Sequence, residues 1–187
     1  MRIIAGKHKG LKLETFEVGN IRPTLDRARE GIFNKIQFDV PNSECLDLFG
    51  GTGAISLELL SRGASKVTIV DVSFDSCKLI QKNFEKAKES LNLIKMDYMQ
   101  ALEFLKKDRF DMIFLDPPFA SDYAKKAIIK IMQEKMLKDG GMIIFEHSFV
   151  GEYFDKNFLD QCGLKLIDSK KYGTIAVDFF KEFRCEL

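Results

Sequence analysis

The stretch FDMIFLDPPF, residues 110–119, is an apolar run of strand type that stops at an acid and two prolines. Asp116 places a carboxylate at the end of that run. Pro117 and Pro118 fix φ and carry no N–H, so they add no competing donor and hold the Pro117 carbonyl in a set direction. Carboxylate and carbonyl together are two acceptors aimed before any ligand arrives. They suit an amine attached to an aromatic base, whose lone pair is shared with the ring. Accepting both of its hydrogens favours the pyramidal nitrogen needed to attack an electrophilic carbon in line. Phe119 adds a ring on which a base stacks, a contact worth roughly 1–3 kcal/mol. Alone, Asp116, Pro117, Pro118 and Phe119 serve equally as a tight turn with a core phenylalanine.

A second stretch, Asp47-Leu48-Phe49-Gly50-Gly51-Thr52-Gly53, joins an apolar run to a helical pattern. Glycines at such a turn permit unusual backbone angles and close approach of a ligand to main-chain N–H groups. A dinucleotide fingerprint wants a third glycine or alanine where Ser56 stands, and a P-loop wants a lysine that is absent. A nucleoside site without phosphates fits better, with Asp47 facing an amino group. Asp71, ending the next strand, is placed to accept from two ribose hydroxyls, and Asp97, ending the third, from an adenine amine. S-adenosylmethionine carries that set: an ammonium, a ribose diol and an adenine. Any single strand-end aspartate is more often a helix cap. Three on successive strands beside one glycine turn point to a ligand.

These motifs need a frame that brings strand ends together. From residue 44 the chain alternates strand and helix: ECLDLF, AISLELLSRG, KVTIVDV, a helix over about 74–89, LNLIKMD, MQALEFLKK, FDMIFLD, SDYAKKAIIKIMQEKML and GGMIIFEH. A short helical piece near 151–157 and two strands around a turn close the chain. The alternation predicts a doubly wound α/β fold with a parallel sheet covered on both faces, its ligand crevice at the strands' carboxyl ends. Residues 2–16 read as a short hairpin, and a helix capped by Thr24 carries Leu25, Ala28, Ile32, Phe33 and Ile36 at helical spacing. The organisation is therefore an extension over 1–40 followed by one domain over 41–187.

The 187 residues carry a net charge of +1, four scattered cysteines with no CxxC, and two histidines. A disulfide framework and a zinc site are not expected, and Cys45, Cys77, Cys162 and Cys185 read as small apolar residues kept reduced. No apolar run approaches a membrane span and no signal-peptide pattern opens the chain, which predicts a cytoplasmic protein. The charge is uneven: Arg2, Lys7, His8, Lys9 and Lys12 all precede the first acid, Glu14. That end suits a polyanion or an ordinary solvated face.

Taken together, MRIIAGKHKG, RPTLDRAREGIFN, LDLFGGTGAISLELLSRGA, FDMIFLDPPF and YGTIAV resemble the bacterial 16S ribosomal RNA guanine-N2 methyltransferase family (RsmD), over essentially the whole chain. The resemblance implies a mostly parallel, seven-stranded Rossmann-like sheet with its last strand antiparallel. It implies S-adenosyl-L-methionine as cofactor, bound by Gly50, Gly51, Gly53 and Asp71, and a guanine amine held by Asp116 and the turn after it. The target it implies is guanine 966 of 16S rRNA, free or in an assembling small subunit. Two departures stand out: Gly51 where members often carry alanine, which loosens the turn, and Asp71 where glutamate is frequent, which shortens the ribose ligand by a methylene.

Guanine N2 lies in the minor groove when paired, so the target must be in a loop or flipped out. Lys7, Lys9, Arg22, Arg27 and Arg29 are the expected phosphate contacts. His8 belongs to the exposed hairpin, His147 to the structure near the crevice mouth, and Lys170, Lys171 and Tyr172 to a solvated turn. A DNA or other RNA amino-methyltransferase shares the DPPF chemistry, but no segment is left over for DNA target recognition. A non-catalytic nucleotide- or RNA-binding module, and a dehydrogenase, are the remaining alternatives. A monomer without metal is expected.

Overall fold

The computed structural model describes residues 1–16, 23–118, 121–148 and 153–183, except for the side chains of 23–26. The elements in chain order are α1 (Pro23–Lys35), β1 (Glu44–Asp47), α2 (Ala54–Ser61), β2 (Lys66–Asp71), α3 (Phe74–Ala87), β3 (Leu93–Lys95) and α4 (Tyr98–Phe104). They continue with β4 (Phe110–Leu115), α5 (Tyr123–Gln133), β5 (Leu137–Ser148), α6 (Lys156–Gln161), β6 (Leu164–Tyr172) and β7 (Ile175–Glu182). The strands form one sheet ordered β3-β2-β1-β4-β5-β7-β6. The first five are parallel, and β7 runs antiparallel to both β5 and β6. Strand order reverses between β1 and β4, which opens a crevice above their carboxyl ends.

Apolar residues on both faces of the central strands explain why the sheet is covered twice. On one face Phe114 and Ile144 pack with residues of α1, α2 and α3; on the other Ile113, Leu115, Ile143 and Phe145 pack with α4, α5 and α6. Ile3, Leu13, Ile32, Phe33, Ile36 and Val40 belong to the first of these cores, so the first forty residues and the α/β body bury one continuous apolar surface. Ser73 starts α3 by accepting from Ser76 N–H. Asp155 starts α6 by accepting from Phe158 N–H, so the helix expected over 151–157 begins after the cap, at Lys156. The β5 strand begins at Leu137, earlier than its glycines suggest, because Gly140 and Gly141 are taken up at a register shift against β4.

The expected N-terminal hairpin is closed by a single antiparallel bridge, Arg2 with Lys12. Its position is set instead by a buried acid that sequence reading passed over. Glu58, fully buried on α2, accepts from Ile4 N–H at 2.7 Å, Ala5 N–H at 3.0 Å and Arg62 Nε at 2.7 Å. Among the described residues no helix is long and apolar enough to cross a membrane. Glu58→Ala strands two amides and a guanidinium together, so unfolding in urea is expected to show a loss of about 3–5 kcal/mol. A loss below about 1 kcal/mol would show that the clamp is incidental.

Candidate active site

The turn after β1 is built as the glycines predict, with each glycine in a different role. Gly50 N–H donates to the Val70 carbonyl at 2.8 Å, and a Cβ on Gly50 would lie 2.5 Å from Ile69 Cγ2, so no side chain fits there. Gly51 and Gly53 take positive φ, 54° and 77°. A Cβ on Gly51 would meet nothing nearer than the Phe49 carbonyl at 3.9 Å, which leaves room for an alanine side chain despite the strained φ. Gly53 faces Ile80 and Phe84 of α3, so its contribution is to the packing of the turn. Asp71 ties the turn to β2: one carboxylate oxygen accepts from Gly51 N–H and the other from Ser73 N–H, both at 2.8 Å. Each oxygen keeps acceptor capacity beyond that bond, and Asp71 lines the crevice.

The crevice has two lobes. The larger, about 590 Å³, is lined by Asp71, Val72, Met96, Asp97, Tyr98, Pro117, Pro118 and Tyr123 among others. The smaller, about 230 Å³, lies toward the N-terminal segment, with Met1, Phe16, Arg29, Ile32, Asp47 and Gly50 in its wall. Four residues line both: Phe49, Gly51, Asp116 and Glu146. The lobes therefore meet at Asp116, where the sequence placed the chemistry.

Register explains why acids gather there. Leu115 pairs with Phe145 across β4 and β5, so Asp116 and Glu146 follow side by side on the face that carries Phe114 and Ile144. Asp47 pairs with Phe114 and joins that face. Restricted solvation with few counter-charges raises the proton affinity of all three. Asp116 is open to the crevice but otherwise enclosed, and enclosure, then the Glu146 and Asp47 charges, push its carboxyl well above the normal range. Glu146 is raised to about 7 by burial, and Asp47 to about 6 by burial, offset in part by the Ser56 hydroxyl donating at 2.6 Å. Among the described residues, no hydrogen bond or ion pair reaches Asp116 or Glu146.

Other expected site residues divide. Asp97 lines the larger lobe while capping α4 through Met99 N–H at 2.9 Å. Arg29 is buried and donates to the Arg2 carbonyl at 2.6 Å, so its guanidinium is a wall of the smaller lobe and is not offered to solvent. Lys7 pairs with Glu89 at 2.6 Å, and the turn holding Lys7 and Lys9 is bonded to Ser61 at the far end of α2. That end is about 12 Å along the helix from the glycine turn. Arg27 is exposed on α1. Phe119 and Arg22 lie outside the described residues. His147 is buried, with Nε2 3.2 Å from the Asp178 carboxylate and Nδ1 3.0 Å from the Ser148 carbonyl. It is a core histidine, stacked on Phe145.

Relatives follow this architecture. The family described as "Conserved hypothetical protein 95" matches residues 1–181. The protein named ribosomal RNA small subunit methyltransferase D of Haemophilus influenzae is 37% identical over 185 residues, covering 97% of this chain and 93% of its own. Its Escherichia coli K12 namesake is 32% identical over 148 residues, 78% of this chain and 74% of its own. The chain belongs to this methyltransferase D family. The solved structure of the Escherichia coli yhhF protein superposes with a TM-score of 0.82 at 29% identity, covering 98% of this chain and 99% of that one.

Two features of this family member escaped the sequence. Tyr98 and Tyr123 join Phe49, which was expected at the cofactor site, in an aromatic wall of the larger lobe, with successive centroids 5.5 Å and 4.8 Å apart. They come from three separate segments, so no local pattern announces them. Glu146 escaped because it sits inside β5, where no strand end or turn marks it. The acid cluster has a sign that can be checked. Asp47 binds its proton more tightly folded, at about 6, than unfolded, near 3.8. Its contribution to stability therefore falls as pH rises from about 4 through 6. Asp47→Asn is expected to gain on the wild type, by about 2 kcal/mol, between urea unfolding at pH 4.5 and at pH 7.5. An unchanged difference would contradict a buried, proton-holding Asp47.

Proposed function

We propose that this protein transfers a methyl group from S-adenosylmethionine to the exocyclic N2 amine of a guanine in small-subunit ribosomal RNA, guanine 966 of 16S rRNA by family resemblance. The observation that carries the reading is that Asp116 lines both lobes, so a group held in one meets a group held in the other beside its carboxylate. The small-subunit RNA is taken from the names of the relatives.

The larger lobe fits the cofactor by its donor set. Asp71 offers lone pairs to a ribose diol, Asp97 an acceptor to an adenine amine, and Val72 and Met96 apolar faces to its ring. No lysine or arginine is found among its described lining residues, while Asp71, Asp97, Asp116 and Glu146 all face it, which suits a cationic ligand without phosphates. Bound there, S-adenosylmethionine supplies a methyl carbon on a sulfonium, whose C–S electron pair leaves with the sulfur as a neutral thioether.

The chain's own residues supply position and charge. Asp116 and the Pro117 carbonyl accept the two amine hydrogens, which raises the nitrogen's nucleophilicity and aims its lone pair at the other lobe. Asp116 would act in its ionised form, which the donors of a bound base favour over the proton held in the free protein, and the proton that N2 must lose on methylation would pass to that carboxylate and on to water. Holding both reactants in line supplies about 7–11 kcal/mol of barrier lowering in well-oriented cases. Of the expected phosphate contacts, Arg29 is in the wall of the smaller lobe and Arg27 is exposed on the same helix, whereas Lys7 and Lys9 serve only RNA that reaches the opposite end of α2.

Purified small subunits from cells lacking the protein are the substrate for the test. Wild-type protein with labelled S-adenosylmethionine is expected to produce N2-methylguanosine in their rRNA. Asp116→Ala is expected to lower kcat by about 10²–10³ or more while S-adenosylhomocysteine binding stays within a few-fold. Full activity in Asp116→Ala, or label appearing on another base or on DNA alone, would overturn the proposal.

A further inference from the structure

Nothing described so far explains why the crevice carries a second unpartnered acid. Glu146 is next to Asp116 across β4 and β5, on the same sheet face, and lines both lobes as Asp116 does. Neither carboxylate is reached by a hydrogen bond or ion pair among the described residues. Side by side without a donor, the two carboxyls hold a proton in the free protein instead of both ionising, and a ligand that brings donors to both would favour the ionised pair. Among the described residues no group of three His, Cys, Asp or Glu is set to hold a metal ion, so the donors are sought on an organic ligand.

Nucleobases differ in what they offer beside an exocyclic amine. On the Watson–Crick edge of guanine, N1–H is a donor immediately next to the N2 amine. In adenine the ring nitrogen next to the amine is an acceptor, and in cytosine likewise. Neighbouring strands lie about 4.8 Å apart. Over that spacing, carboxylates on two of them reach adjacent donors on one ring edge. The smaller lobe, about 230 Å³ with Phe16, Ile32 and Ile55 in its wall, offers an apolar slot with its acids at the inner end.

We infer that Glu146 is the residue that specifies guanine: its carboxylate accepts the N1–H of the base whose N2 amine is held by Asp116. This deepens the reading given under Proposed function and rests on it. A carboxylate facing the lone pair of adenine or cytosine would be repelled, so rejection follows from the same atom that gives recognition. The raised proton affinity of Glu146 agrees with a group that awaits a donor.

The test uses small-subunit rRNA reconstituted with 2-aminopurine in place of the guanine that the wild-type protein methylates. 2-Aminopurine keeps the 2-amine but presents a lone pair at N1. The wild type is expected to prefer guanine by more than about 10² in kcat/KM, as sites built to receive a substrate N–H do. In Glu146→Gln the amide donates an N–H to that lone pair, so the preference is expected to fall at least tenfold, with S-adenosylhomocysteine binding retained. Equal wild-type rates on both bases would overturn the inference, as would a Glu146→Gln variant that loses both rates in proportion. If Glu146→Gln fails to bind S-adenosylhomocysteine, the wild-type ratio alone decides. No methyl transfer to guanine by the wild type would instead overturn the parent reading and this one with it.

Discussion

An acid with no protein donor, held where two cavities meet, is the constraint around which this structure is arranged. Enclosure raises the proton affinity of Asp116, and its neighbours Glu146 and Asp47 raise it further. The fold tolerates this because Asp47 and Asp116 stand at the ends of β1 and β4, with Glu146 beside them on β5, all lining a crevice, while the strands beneath them are buried on both faces. Stability is supplied below the site and spent at it. The ligand-free protein therefore sits in a state that donors improve, which is the condition for binding energy to be used on position.

The same logic accounts for the turn after β1. Its glycines remove side chains from the path between β1 and β2, and Asp71 uses two of its lone pairs on the turn itself while keeping others for a ligand. One carboxylate thus fixes the turn and lines the larger lobe. The N-terminal segment, clamped by Glu58, forms the wall of the smaller lobe through Met1, Phe16 and Arg29. What reads as an appendage in the sequence is part of the site.

The α/β alternation was legible because each strand carries an apolar run and each helix a stop or cap, and Asp47, Gly50, Gly51, Asp71, Asp97 and Asp116 could be found as strand-end residues. What remained hidden depends on contacts distant in sequence. Arg29 looked like one more surface cation until its bond to Arg2 turned it inward. Lys7 and Lys9 read as phosphate contacts from their charge, but the loop that holds them is tied to the far end of α2 by Ser61. Glu146 lay inside an apolar strand, where only the β4–β5 register shows that it stands beside Asp116.

The central claim is that methyl donor and guanine occupy adjoining lobes and meet at Asp116. A bisubstrate analogue, guanosine tethered through N2 by a short carbon chain to the sulfur position of the cofactor, examines it directly. A crystal structure of that complex should show the guanine in the smaller lobe with N2 within hydrogen-bond distance of the Asp116 carboxylate, and the adenosine between Asp71 and Asp97. A guanine lying outside that lobe, or an Asp116 carboxylate turned away from the tether, would contradict the account.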